Sequence, residues 1–342
     1  MREPALDPVP GAPGEPVPAA PGEGEAVAEP AGAEPAGASV AAEVSLAVAA
    51  KASGENFPVA LRALPRRYRR HLTALYGFAR LADDIGDEPL PGVAPGDTPA
   101  RLRVLDALRA DLARAYAPAG EPPAGQEPAA GQEPAASEPR LPAIRALAAT
   151  ARECGIPRQP FDDLIQANRQ DQQVKRYRTI EELIRYCELS ANPVGLAVLH
   201  IFGVATTERV RLSDNICTAL QLVEHWQDVA EDLANGRIYL PLEDMERFGC
   251  GEADLARAAA GENVKELIAF EAGRAARMLD EGAALTGTLR GAARLAVAGY
   301  VAGGRAALAA IARSGYDVLR QTPKPGKART LAELIRCYVT GR

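Results

Sequence analysis

Along residues 208–234, polar and apolar positions fall into two adjoining stripes. Glu224, Asp228 and Asp232 stand at i, i+4 and i+8, and Gln221 and Asn235 extend the polar stripe. Val223, Trp226, Ala230 and Leu233 form the apolar one. This spacing predicts one helix from Glu208 to Ala234, capped by Thr207 in preference to Thr206 and stopped by Gly236. Residues 76–88 repeat the pattern: Asp83 and Asp87 are four apart, with Asp84 alongside and Arg80 and Tyr76 one and two turns earlier. Leu75, Phe78, Ala79, Leu81, Ala82 and Ile85 surround these acids, which predicts a largely buried helix. Further helices are predicted over 100–116, 142–153, 158–172, 179–190, 193–203, 242–248, 262–285 and 289–313, with a short one opened by Ser53–Pro58 and a weak one near 328–339. No stretch alternates convincingly with a strand period, so the folded part reads as all-α.

Breaks in the pattern set the organisation. Residues 1–45 are rich in Pro, Ala, Gly and Glu, and read as a disordered tail that cannot bury enough apolar surface to offset its ordering entropy. Residues 46–322 read as a single domain. Within it, 117–139 carries Ala-Gly-Gln-Glu-Pro-Ala twice in tandem and reads as an inserted loop. Residues 323–342 read as a C-terminal tail. Pro142 suits a first helical turn. Asn192-Pro193-Val194-Gly195 breaks an otherwise helical stretch, which implies close packing against the backbone there.

Composition narrows the class. Hydrophobic residues make up 47% of the chain but aromatic residues only 5%, and the abundance of Ala favours helices over sheets. A net charge of −6 argues against a broad nucleic-acid footprint. Cys154, Cys187, Cys217, Cys250 and Cys337 lie far apart and read as reduced, structural thiols of a cytoplasmic protein. His71, His200 and His225 are scattered, which argues against a zinc site. No run of about 18 apolar residues suggests a membrane span. Arg66, Arg67, Arg69 and Arg70 read first as a solvated helix start and second as an attractor of anions.

The acidic stripes carry the candidate chemistry. Acids four apart repel by about 0.2–0.5 kcal/mol per pair, and no Lys or Arg intervenes between Arg211 and Arg237. A cation is the natural counterweight, and hard carboxylate oxygens with amide helpers suit Mg²⁺, which takes one or two carboxylates plus substrate phosphates. Two such helices facing each other would hold Mg²⁺ and a diphosphate between them, with an apolar interior for a hydrocarbon tail. The chain has no nucleophile elbow, P-loop or Gly-rich dinucleotide fingerprint.

Two motifs, Tyr76-x-x-x-Arg80-x-x-Asp83-Asp84-x-x-Asp87 and Asp228-x-x-x-Asp232 followed by Asn235-Gly-Arg-Ile-Tyr-Leu-Pro241, resemble the squalene/phytoene synthase family over about Ser53 to Gln321. The resemblance implies a single-domain helical isoprenoid synthase fold with a central apolar cavity. It implies metal on Asp83, Asp87, Glu224, Asp228 and Asp232. It places Tyr76 and Arg80 on the diphosphate, with Asp84, Gln221, Gln227, Asn235 and Tyr239 near the substrate and Phe57 at the entrance. Condensing members carry Arg-Asp where this chain has Gln227-Asp228. Asn56-Phe57-Pro58, Ser190-Ala-Asn-Pro-Val-Gly195 and His225-Trp-Gln-Asp228 are most similar to the branch of hopanoid synthesis that ionises presqualene diphosphate and quenches the cation with water. That branch uses Mg²⁺ without NADPH. Tyr186, Tyr239, Gln227 and His225 are candidates to position the water. The alternatives are a condensing or reducing relative (presqualene diphosphate, squalene or phytoene synthase), or a non-enzymatic helical scaffold. The implied substrate is compatible with peripheral membrane contact and with contact with pathway enzymes.

Overall fold

The helical periodicity is realised throughout residues 36–52, 64–117 and 138–342, which this computed structural model describes and which fall in one unit, Pro35–Arg342. In chain order the helices are α1 (Ala36–Ala52), α2 (Arg66–Asp87), α3 (Thr98–Tyr116), α4 (Pro142–Cys154), α5 (Gln159–Asp171), α6 (Ile180–Ser190), α7 (Asn192–Ile201) and α8 (Thr207–Gln227). They continue with α9 (Val229–Ala234), α10 (Leu242–Arg247), α11 (Glu252–Leu255), α12 (Glu262–Ala283), α13 (Leu285–Thr288), α14 (Gly291–Arg313) and α15 (Lys327–Thr340). Among the described residues the one β-type pairing is an isolated bridge between Arg176 and Ile238.

Helix α8 runs through both apolar cores. Its Leu212, Ile216 and Ala219 join a cluster with Phe78, Leu105 and Phe161, where the rings of Phe78 and Phe161 meet edge to face at 5.3 Å. Its Leu222, Val223 and Trp226 join a second cluster with Leu183, Val264, Ile268 and Ile311. Burying side chains of this size contributes roughly 1.5–3 kcal/mol each, so the acidic stripe of α8 rides on a helix fixed from two sides. Helices α7, α12 and α14 pack directly against it. The break at Asn192–Gly195 serves this packing: a Cβ on Gly195 would lie 2.5 Å from Ser213 Oγ and 2.6 Å from Cys217 Sγ.

Several boundaries differ from the sequence reading. Helix α1 occupies part of the expected tail, because Ala-rich sequence favours helix and Ala41, Val44 and Ser45 are buried where α1 packs on α3. The cap of α8 is Thr206, not Thr207: its hydroxyl accepts from Arg209 N at 3.3 Å from an extended backbone. The predicted single helix to Ala234 is interrupted at Asp228 (φ −105°, ψ 18°), although Asp228 N still donates to Glu224 O and Asp232 N to Asp228 O. The interruption coincides with anchorage by the C-terminal segment, since the Gln227 amide donates to Pro323 O and Thr322 bonds Asp228. Residues 327–340 form a full helix packed on α14, rather than the end of a tail. Helix α14 is long and apolar enough to cross a membrane by length and composition alone (mean hydropathy 1.5), yet 56% of that window is buried within the fold. Residues 1–35, 53–63 and 118–137 lie outside the described residues, and with them most of the predicted tail, the short helix near 53–64 and most of the 117–139 loop.

Candidate functional site

The acids of α2 face a cavity of about 880 Å³ whose other walls come from α5, α6 and the α8–α9 junction. Asp84 is almost fully buried and pairs with Arg80 Nε at 2.7 Å. Asp83 Oδ1 accepts from Asn168 Nδ2 at 3.2 Å, and Asp87 Oδ1 accepts from Arg237 Nη2 at 2.6 Å. Gly86 permits the Asn168 contact, because a Cβ there would fall 2.0 Å from Asn168 Oδ1. Glu224 reaches the cavity from α8, Asp228 from the junction, and Glu231 and Asp232 from α9. Beyond α9, Gly236 follows the last turn and Arg237 N bonds back to Asp232 O at 2.8 Å, which carries the Arg237 side chain across to Asp87.

The charges show how closely the two acidic walls act on each other. Burial pushes Glu224 above the usual carboxylate range, and the charges of Asp228 and of Asp83 on the opposite helix add to the rise. Burial raises Asp83 to about 6, offset in part by the Asn168 hydrogen bond. Asp232 is pushed to about 7, first by burial and then by Asp228. Asp228 is raised by burial and by Glu231. These groups resist ionisation unless positive charge comes to them.

Behind the acids lies a polar, aromatic wall. Asp171 Oδ2 accepts from Tyr186 OH at 2.6 Å and its Oδ1 from Tyr239 OH at 3.2 Å; burial raises Asp171 to about 6. The His225 ring stacks on Tyr239 with centroids 3.7 Å apart, and its Nδ1 lies 3.9 Å from Asp232 Oδ2. Burial, aided by Arg237, lowers His225 to about 3, so it is neutral. Ser190 lines the cavity, and its buried hydroxyl has no hydrogen-bond partner among the described residues.

The donor set fits divalent cations shared with an anionic ligand. Among the described residues no three His, Cys, Asp or Glu side chains converge as one metal cage. Mg²⁺ is ordinarily held by one or two carboxylates with phosphate oxygens completing its shell, and carboxylates with raised pKa on opposed walls suit that arrangement.

The cavity brings together Arg80, Asp83, Asp84, Asp87, Gln221, Glu224, Asp228, Asp232, Asn235 and Tyr239 of the residues expected from sequence, and also His225 and Tyr186. Tyr76, half-buried on α2, and Gln227 are not in its wall; the Gln227 amide is engaged by Pro323 instead. Phe57 lies outside the described residues. Sequence reasoning passed over Asn168, Asp171 and Lys175, and gave Arg237 no role. The available signal was a polar run at i, i+3 and i+7 in and just beyond α5, beside the apolar Leu164, Ile165 and Ala167.

Fold and site together define an all-helical protein with a carboxylate-walled cavity suited to an anionic substrate brought in with divalent cations. The squalene/phytoene synthase model matches residues 50–329. The hydroxysqualene synthase of Rhodopseudomonas palustris is 34% identical over 237 residues, covering 69% of this chain and 72% of that protein. The phytoene synthase of Mycobacterium tuberculosis is 32% identical over 199 residues, covering 58% of this chain and 57% of that protein. Among solved structures, squalene synthase HpnC from Alicyclobacillus acidocaldarius superposes with a TM-score of 0.67 at 39% identity, covering 83% of this chain and 97% of that one. The chain belongs to the squalene/phytoene synthase family, enzymes that process isoprenoid diphosphates.

Proposed function

We propose that the protein is a hydroxysqualene synthase acting on presqualene diphosphate. The observation that carries this reading is Gln227. The family resemblance puts an Arg in condensing members at this position, next to the first acid of the second motif; here it is a neutral amide turned to Pro323 O. The end of α8 therefore brings no cation to the cavity at that point, which suits one diphosphate rather than two. Similarity to hydroxysqualene synthases of Rhodopseudomonas palustris, Sinorhizobium fredii and Zymomonas mobilis, at 34%, 30% and 33% identity, supports the same branch.

In this reading Asp83, Asp87, Glu224, Asp228 and Asp232 would hold Mg²⁺, which when bound neutralises charge on the departing diphosphate. Arg80 stands beside the α2 acids, paired with Asp84, as a cation of the cavity wall available to the leaving group. The substrate C–O bond breaks with its electron pair going to diphosphate. The cyclopropylcarbinyl cation left behind rearranges with cleavage of a ring C–C bond. Water forms a new C–O bond to the opened cation and passes a proton to the released diphosphate, so hydroxysqualene and diphosphate leave and no reductant is consumed. The walls of Asp171, Tyr186, Tyr239 and Ser190 direct the water. Tyr186 and Tyr239 spend their hydroxyl protons on Asp171, which leaves their oxygens as acceptors.

The test is a product assay with Mg²⁺ and no NADPH, offering farnesyl and presqualene diphosphate separately. Hydroxysqualene from presqualene diphosphate alone is the expected result. Presqualene diphosphate formed from farnesyl diphosphate would move the protein to the condensing branch.

A further inference from the structure

Helix α15 faces the wrong way for a helix that only completes a core. Its fully buried side chain is Cys337, with Thr330, Glu333 and Leu334 half-buried beside it. The larger apolar residues point outward: Leu331 is 57% exposed, Ile335 57%, Tyr338 40% and Val339 72%. These positions are i, i+4, i+7 and i+8, so they form one continuous stripe. They account for four of the five exposed large hydrophobic residues among the described residues; the fifth, Tyr300, lies on α14, against which α15 packs.

The stripe is held rigidly and bordered by positive charge. Arg305 Nη1 donates to Cys337 Sγ at 3.1 Å, and Arg294 Nη2 donates to Val339 O at 3.3 Å with its guanidinium 5.3 Å from the Tyr338 ring centre. At helical spacing Lys327 borders one edge of the stripe, while Arg336 and Arg329 lie about 60° and 80° beyond the other, Arg336 paired with Glu333 at 2.9 Å. Residues 324–342 contain Lys324, Lys327, Arg329, Arg336 and Arg342 against Glu333 alone, in a chain of net charge −6. This segment thus combines a positive balance with four of the exposed large apolar side chains among the described residues.

We propose that the outer face of α15 docks on an anionic lipid surface. Leu331, Ile335, Tyr338 and Val339 enter the boundary between headgroups and acyl chains, and the basic margins meet lipid phosphates. A second copy of the chain is a poor occupant, since a self-complementary contact would bring two basic margins together. The docking also bears on the site: α15 starts three residues beyond Lys324, whose charge acts on Asp228 at the cavity wall. This inference does not depend on which family reaction the cavity performs.

The experiment is co-sedimentation of the full chain with vesicles of phosphatidylcholine alone and of phosphatidylcholine with phosphatidylglycerol, at low and high salt. The expected result is binding to the anionic vesicles that weakens as salt rises. Arg329→Glu with Arg336→Glu, and separately Leu331→Glu with Ile335→Glu, should each lower the partition coefficient by more than about tenfold, with thermal unfolding unchanged. If the glutamate pair at 331 and 335 impairs folding, Leu331→Ser with Ile335→Ser should give the same ordering. Equal binding to neutral vesicles, no vesicle binding, or binding that survives both folded double variants would overturn the proposal. So would a concentration-dependent dimer in solution that Leu331→Glu dissolves, which would assign the face to a second copy.

Discussion

Among the cavity acids Asp232 is raised furthest, because burial and then Asp228 take it from the usual 3.8 to about 7. A carboxyl raised in the folded state contributes nothing unfavourable below its unfolded pKa and costs stability as pH rises through the folded one. The metal-free protein should therefore lose stability from Asp232 between about pH 4 and pH 7. Asp232→Asn removes that dependence: in urea unfolding without metal the variant should be more stable than wild type at pH 8, with the difference shrinking at pH 5. An unchanged or larger gap at pH 5 would contradict the buried, self-repelling placement of this group. The same acids carry the proposed chemistry. Asp83→Asn and Asp228→Asn should each reduce turnover of presqualene diphosphate by about 10²-fold or more, with helicity by circular dichroism unchanged. Near wild-type turnover in either variant would count heavily against the metal assignment.

Among the elements, close approach between helices decides how firmly the acidic stripe is held. Gly195→Ala places a Cβ within 2.6 Å of both Ser213 Oγ and Cys217 Sγ, on the face where α7 meets α8. Overpacking of this kind costs about 1–3 kcal/mol, a loss that chemical denaturation would register, and an unchanged midpoint would mean that α8 can shift without cost. The Asn192–Gly195 break announced this contact in the sequence, as the i, i+4, i+8 spacing announced the stripe on α8 and the Asp83/Asp87 pair announced α2. What periodicity could not show was the interruption at Asp228. The residues that anchor it, Thr322 and Pro323, are some 95 positions away in sequence. The Asn168–Asp83 bond was hidden likewise by its 85-residue separation, and the Tyr186–Asp171 bond, only 15 residues apart, because it joins two helices whose packing periodicity does not show. Helix α1 escaped because its Ala-rich sequence lies beside Pro-rich sequence, and its packing on α3 decides its state.

For the molecule as a whole, the first acidic wall sits over the first core and the end of α8 that carries the second wall sits over the second, so a ligand that bridges the walls adds a further tie to the one α8 already makes between the cores. Phe78 of α2 sits in the first cluster and Trp226, two residues before Asp228, in the second. No three ligating side chains converge among the described residues, so a metal ion alone has no complete protein cage to enter. Inorganic diphosphate alone meets raised carboxylates that repel it. Mg²⁺ with diphosphate satisfies both: the ions offset the acids and the phosphate oxygens fill the metal shell. Thermal unfolding should therefore show little shift with Mg²⁺ alone, little with diphosphate alone, and a clear rise with the two together. Ligand present at a hundredfold excess over its dissociation constant stabilises by about 2.7 kcal/mol, and EDTA should return the transition to its starting point. The rise should disappear in Asp83→Asn and also in Asp228→Asn, one from each wall. If either variant keeps the full shift, the ligand is held by one wall only, and the two helices do not act as a clamp.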